Sequence, residues 1–257
     1  MRVLLLATAA LAAASSANAV NLVQNGGFEL TAPGTPVQGF EIGPRHSYPN
    51  GVLNWTTQDS ATAGGSIGVF NVLFNSSTAT TVSPDTRYTS SETQTLSSAN
   101  YGGPSPDGGN FMALDGDIFA NGPLLQTISG LTPGKKYNLK FYWAATQFQN
   151  RVGDTTERLD VSFGGQTRST ATVGGPTHYF AGWFTENMQF TAINSSEVLS
   201  FLSIGTPDGL PPVALLDGVS LTAAVPEPAT WAMLIAGFGL VGMAARRRGR
   251  ASFAASN

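Results

Sequence analysis

Along most of the chain, apolar and polar residues alternate with a period of two. Tyr137, Leu139, Phe141 and Trp143 alternate with Asn138, Lys140 and Tyr142, and Leu159, Val161 and Phe163 alternate with Arg158, Asp160 and Ser162. Phe184, Met188 and Phe190 share one face opposite Trp183, Thr185, Asn187 and Gln189, with Glu186 interrupting the apolar side. Segments Asn110 to Leu114, Val198 to Ile204 and Val213 to Leu221 are further apolar runs of strand length. A side-chain period of two is the mark of a strand with one buried face, so these segments are expected to be strands.

Turn residues separate them: Gly64-Gly65, Pro106-Asp107-Gly108-Gly109, Thr132-Pro133-Gly134, Gly164-Gly165, Gly174-Gly175-Pro176 and Pro207-Asp208-Gly209. Such dipeptides supply the backbone angles that turns require. No helical periodicity stands out between the two ends of the chain. Many short strands punctuated by glycine and proline predict an all-β body, and two packed sheets bury apolar faces that an open sheet would expose. The reading is a two-sheet β-sandwich over residues 20–224. Residues 75–109, rich in Ser and Thr, are expected to form a long loop or insertion, and loops of that length are functional or mobile.

The two ends read differently. Arg2, the apolar stretch Val3 to Ala14 and Ala17-Asn18-Ala19 form the three parts of a secretory signal peptide, placed at residues 1–19. At the other end Ala229 to Ala245 is a charge-free run of 17 residues, followed by Arg246, Arg247 and Arg248. As a helix it would span roughly 25 Å, near the lower limit for a bilayer core. Trp231 suits the headgroup zone, and the arginines belong on the cytoplasmic side, which puts the body outside. Gly237, Gly239 and Gly242 spell G-x-G-x-x-G, but neither a preceding strand nor a following acid accompanies them, so they read as small residues in a membrane helix.

Charge narrows the partners. Of 13 Lys and Arg, Arg2 and four tail arginines lie in the terminal segments, leaving eight; of 16 Asp and Glu, all but Glu227 lie in the body, which therefore carries about −7. No basic stripe exists, so no nucleic-acid partner is expected. No cysteine is present, which removes disulfides, thiol nucleophiles and Cys-ligated zinc. The chain also lacks H-E-x-x-H, and His46 and His178 are its only histidines.

Two resemblances follow from particular residues. Pro226-Glu227-Pro228, with Trp231 close behind, the short apolar helix and Arg246, Arg247 and Arg248, resembles a PEP-CTERM sorting signal over 225–250. That family's signal is read by exosortase, a membrane-embedded cysteine transpeptidase of Gram-negative bacteria. The resemblance implies exosortase as a partner, transient inner-membrane anchoring through helix 229–245, processing near the Pro-Glu-Pro box, and a place at the cell surface beside exopolysaccharide. Asn21 to Glu29, Leu131 to Leu139 and Leu215 to Leu221 together resemble the galactose-binding-like jelly-roll of carbohydrate-binding modules and some plant cell-wall proteins. That fold brings its first and last strands together and often holds a structural calcium there. Glu29 and Asp217 fall on the matching positions, and calcium accepts carboxylate and carbonyl oxygens.

A glycan surface needs flat aromatics with polar neighbours. Trp55, Tyr142, His178, Tyr179 and Trp183 are the candidates, and Tyr142 and Trp183 stand on the polar side of their strands. Asp115 and Asp117 form a D-x-D pair without the rest of an EF-hand loop, which reads as a polar turn. The expected function is an exported, non-catalytic surface or matrix protein that engages extracellular polysaccharide. A secreted polysaccharide hydrolase and a purely structural surface protein remain the alternatives.

Overall fold

The computed structural model describes residues 19–35, 37–38, 51–57, 69–81, 95–96, 101–149, 151–210, 212–224 and 237–243. Eleven strands make up the body: β1 (Thr56–Thr57), β2 (Asn71–Asn75), β3 (Asn110–Asp115), β4 (Leu124–Ser129), β5 (Lys136–Gln147), β6 (Thr155–Phe163), β7 (Gln166–Ser169), β8 (Val173–Gly175), β9 (Phe184–Thr191), β10 (Ser196–Thr206) and β11 (Pro212–Ala223). The strands expected from alternation are all present. In β6 the alternation is strict, every odd-numbered residue from Thr155 to Phe163 being buried.

One sheet has the order β1-β4-β10-β6-β7, with β8 also on β6; the other runs β2-β3-β11-β5-β9. Every pairing is antiparallel. The two sheets enclose a core in which Phe141, Trp143, Phe163, Phe190 and Phe201 are fully buried. Phe141 meets Phe201 across the sandwich edge-to-face at 5.2 Å, a favoured aromatic geometry.

The N-terminal segment lies against the last strand. Asn21 bridges Thr222, the Leu22 amide donates to the Leu221 carbonyl at 2.9 Å, and the Val219 amide donates to the Gly26 carbonyl at 3.0 Å. Asn21 Oδ1 accepts from the Leu221 amide at 2.9 Å. The chain ends of the sandwich thus meet at one edge.

A second apolar cluster covers part of the outer face of the five-stranded sheet. Val72, Phe74, Phe111, Ala113, Ala144, Val213 and Leu215 point outward there and are buried beneath Ala79, Leu96 and Phe148, with Phe70, Tyr101, Phe180 and Trp183 packed around them. Phe74 stacks on Phe111 at 5.7 Å, and Trp183 meets Phe111 edge-on at 5.6 Å. The expected loop at 75–109 is therefore, in its described parts, a roof. Asn75 closes β2, the Leu96 amide donates to Ala79 O at 2.8 Å, and Tyr101 packs edge-on against Phe180 at 5.5 Å.

The signal peptide, the Pro-Glu-Pro box, Trp231 and the arginine cluster lie outside the described residues. Of the expected span 229–245, residues 237–243 are helical and expose Phe238, Leu240, Val241 and Met243. Among the described residues no helix is long and apolar enough to cross a membrane.

Candidate functional site

The boundary between the roofed and open parts of this sheet face is set by a β-bulge. Register between β11 and β5 shifts between Asp217 and Ser220. Before the shift, odd-numbered residues of β11 face outward (Val213 and Leu215 under the roof); after it, Val219 and Leu221 face the inner core, and Ser220 and Thr222 face out. A bulge re-aims side chains in this way. Gly218 takes φ +58°, and a Cβ there would come within 2.5 Å of the Tyr142 ring, so the bulge and the ring position together require glycine.

Asp217 occupies that boundary, paired in register with Tyr142. It has no solvent exposure. Its Oδ1 accepts from the Gly218 amide at 2.7 Å, and its Oδ2 accepts from the Ser105 hydroxyl. Burial pushes the carboxyl up to about 8; Asp107 and Glu29 push the same way, and the Ser105 and Gly218 donors pull against them. Asp107 sits beside Asp217: a Cβ on Gly27 would lie 2.6 Å from Asp107 Oδ2 and 3.9 Å from Asp217 Oδ1. Glu29 Oε1 accepts from the Asn110 amide at 2.6 Å and crowds Gly109, whose φ of +66° only glycine tolerates comfortably. The Tyr101 hydroxyl is pushed up to about 12 by burial and by Asp217.

The sequence pair Glu29 and Asp217 is therefore brought to one site, from opposite ends of the body, and Ser105 and Asp107 of the roof join it. Among the described residues no group of three or more His, Cys, Asp or Glu is arranged to hold a metal by itself. A calcium ion here would need carbonyl and hydroxyl oxygens alongside the carboxylates, which is that ion's habit. The carboxylates of Asp107 and Glu29 lie close enough to Asp217 to add to the rise that burial gives its pKa, so the three acids share one electrostatic environment.

Beside the acids opens a polar depression of about 260 Å³, lined by Asn21, Asp107, Lys140, Tyr142, Gly218 and Ser220 among others. Tyr142 is half-buried at its rim, and the Lys140 ammonium lies 5.0 Å above its ring. From there the outer face continues uncovered: Lys136, Asn138 and Lys140 on β5, Thr185, Asn187 and Gln189 on β9, and Ser220 and Thr222 on β11. Lys140 stands opposite Asn187 and Ser220, and Gln189 Nε2 donates to Asn138 Oδ1 at 3.0 Å.

The other aromatic candidates lie elsewhere. Trp183 is outward-facing but braces the roof, packing on Phe111 and Phe180 and donating its Nε1 hydrogen to Gly103 O at 3.1 Å. Trp55 is 1% exposed and donates to Asn25 O at 2.8 Å. It underlies a larger groove of about 350 Å³ lined by Gln24, Leu53, Asn54, Leu125 and Thr127, which presents no exposed aromatic or charge. Tyr179 is buried, and the His178 amide donates to Gln147 Oε1 at 2.9 Å.

Asp115 and Asp117 serve a turn. Asp115 Oδ1 accepts from the Asp117 amide at 2.8 Å, and Asp117 accepts from the Phe119 and Gly209 amides at 2.9 and 2.6 Å. Sequence reasoning missed Glu157, which is fully buried near the start of β6. Burial pushes it up to about 8 against the weaker pull of Thr155 and the Val213 backbone, and neither carboxylate oxygen attains a hydrogen bond of good geometry. Asp107 was equally hidden, inside a Pro-Asp-Gly-Gly turn.

No curated protein matches this chain in sequence. Among solved structures, TmCBM61, determined in complex with β-1,4-galactotriose, is similar over 80% of this chain and 99% of its own, with 15% identity and a TM-score of 0.40. The CBM22-1 xylan-binding domain from Paenibacillus barcinonensis Xyn10C is similar over 82% and 99%, with 11% identity and a TM-score of 0.39. A CBM4 structure is similar over 78% and 99%, with 13% identity and a TM-score of 0.36. Residues 224–248 match the PEP-CTERM protein-sorting motif. The chain is thus an exported protein, transiently anchored at the membrane, with a β-sandwich body and a PEP-CTERM sorting motif at residues 224–248.

Proposed function

We propose that the sandwich is a non-catalytic glycan-binding module, delivered to the cell surface by exosortase acting on its sorting motif, where it engages extracellular polysaccharide. The observation that carries this reading is the open half of the five-stranded sheet: Tyr142 at the rim of a polar depression, continuous with a flat array of amide and hydroxyl side chains. Such an array suits a sugar chain, whose hydroxyls need donors and acceptors together. Asp217, beside it, does not suit hydrolysis. Asp217 is wholly buried and both its oxygens are engaged, so it cannot protonate a glycosidic oxygen. Glu29 and Asp217, with Asp107, are assigned instead to a structural calcium that ties both chain ends to the roof.

Binding of the full chain to a glycan array, and to exopolysaccharide purified from the cells that make it, tests the reading. Retention that falls about tenfold in Tyr142→Ala is expected, the order of loss for truncating a contact aromatic. Release of new reducing ends from that polysaccharide would show catalysis and defeat the non-catalytic assignment. Failure to bind any glycan would leave the purely structural role.

A further inference from the structure

The chain contains three lysines, Lys135, Lys136 and Lys140, and all of them lie within six residues at the start of β5. The body around them carries an excess of acid. Lys136 and Lys140 are both exposed on the outer face of the open half-sheet, four residues apart on one strand, or ~13 Å at the rise of a β-strand. Their register partners are neutral: Lys136 faces Thr191, and Lys140 faces Asn187 on one side and Ser220 on the other. Glu186, the one acid of β9, pairs with inward-facing Phe141 and stands on the other side of the sheet. The ion pair among the described residues joins Arg158 and Asp160 on the opposite sheet, so neither lysine is neutralised there. Of the three acids at the boundary, Glu29, Asp107 and Asp217, only Asp107 lines the depression.

Tyr142 adds a second constraint. One face of its ring is taken by the Lys140 ammonium, held 5.0 Å over it. The ring positions a cation at the mouth of the depression. An anionic group arriving there meets a charge already oriented, and its neighbours along the chain meet Asn138, Asn187 and Gln189.

We infer that the open half-sheet takes an anionic polysaccharide whose uronate carboxylates are separated by neutral sugars, with Lys136 and Lys140 as charge partners and the three amides as partners for the intervening hydroxyls. This inference rests on the glycan-binding reading above. Sparse carboxylates fit better than dense sulfation, because two cations ~13 Å apart on an acidic body neutralise few charges and the remainder would be repelled.

The test measures binding of the full chain, purified in detergent, to oligosaccharides of deacylated gellan, to the same oligosaccharides with their carboxyl groups reduced, to dextran sulfate and to neutral β-1,4-galactan. Gellan is expected to bind most tightly and to lose about tenfold on carboxyl reduction, on raising salt from about 0.05 to about 0.5 M, and in Lys136→Gln/Lys140→Gln. Both lysines are exposed, so the melting temperature of the double variant should match the wild type, and that match certifies the comparison. A variant that melts early is replaced by Lys136→Ala/Lys140→Arg, which should regain most of the affinity through the cation kept at position 140. Equal binding of reduced and native gellan, or no loss in the lysine variant, overturns the inference while leaving a neutral glycan site standing. Tighter binding to dextran sulfate overturns the uronate assignment. No binding to any of the four overturns the glycan reading as well.

Discussion

The outer face of the five-stranded sheet is two surfaces on one backbone. Under the roof, outward positions of β2, β3, β11 and β5 carry Val72, Phe74, Phe111, Ala113, Leu215 and Ala144. In the open half, outward positions of β5, β9 and β11 carry Asn138, Lys140, Asn187, Gln189, Ser220 and Thr222. The hydrogen-bonding ladder is the same in both. The residues standing on it decide whether the face becomes a second core or a platform, and the bulge at Gly218 marks the change. One consequence is that aromatics on the two sides have different jobs: Trp183 holds the roof, whereas Tyr142 faces solvent at the rim.

Substitutions should separate the two halves most clearly in stability. Phe111→Ala removes a fully buried ring from the roofed half and should cost about 3–5 kcal/mol in denaturant unfolding, whereas Asn187→Ala in the open half should stay within about 0.5 kcal/mol. Equal effects would erase the distinction. Trp183→Ala should fall on the roofed side of this divide, lowering the melting temperature while leaving glycan affinity unchanged.

Glu157 supplies a control outside both halves. In the unfolded chain it loses its proton near its ordinary value of 4.5, while in the fold it keeps it to about 8. The folded state therefore binds more protons between these limits, so stability falls as pH rises from about 4.5 to 8. Glu157→Gln should remove this residue's share of the fall, on the order of a few kcal/mol across the window, and leave the share of Asp217, whose carboxyl is also raised to about 8. An unchanged pH profile would count against a protonated, buried Glu157.

The boundary itself should respond to calcium. Ion binding at Asp217, Glu29 and Asp107 would stabilise the wild type by about 2.7 kcal/mol at a hundredfold excess over Kd, and the gain should vanish in Asp217→Asn. A melting temperature indifferent to both calcium and chelator would refute the metal assignment. Tyr142→Ala should cost about 1.4 kcal/mol of glycan binding, equivalent to tenfold, with little change in stability.

How much of this could be read from the sequence depended on local regularity. Strands β5 and β6 announce themselves because apolar and polar residues alternate along Tyr137–Trp143 and Arg158–Phe163, and β10 as an apolar run from Val198 to Ile204. Strands β2 and β4 are short and lie among less regular neighbours, so alternation alone did not mark them. The roof was invisible for a related reason: Ala79, Leu96 and Tyr101 are isolated apolar residues in a Ser/Thr-rich stretch, and only tertiary contact brings them onto Phe74 and Phe111. Parity placed Trp183 on the outward side correctly, but parity cannot show what covers a face. Glu29 and Asp217 were legible through the motifs around them. Asp107 and Ser105 were not, since a Pro-Asp-Gly-Gly turn explains its own aspartate without reference to anything distant.

Footprinting of the full chain with and without saturating exopolysaccharide from the producing cells tests the central claim most directly. Protection of Lys136–Tyr142 and Thr185–Gln189 is expected, with no change at Leu53 or Thr127 in the groove above Trp55. Protection of that groove instead, or none in the open half-sheet, would contradict it.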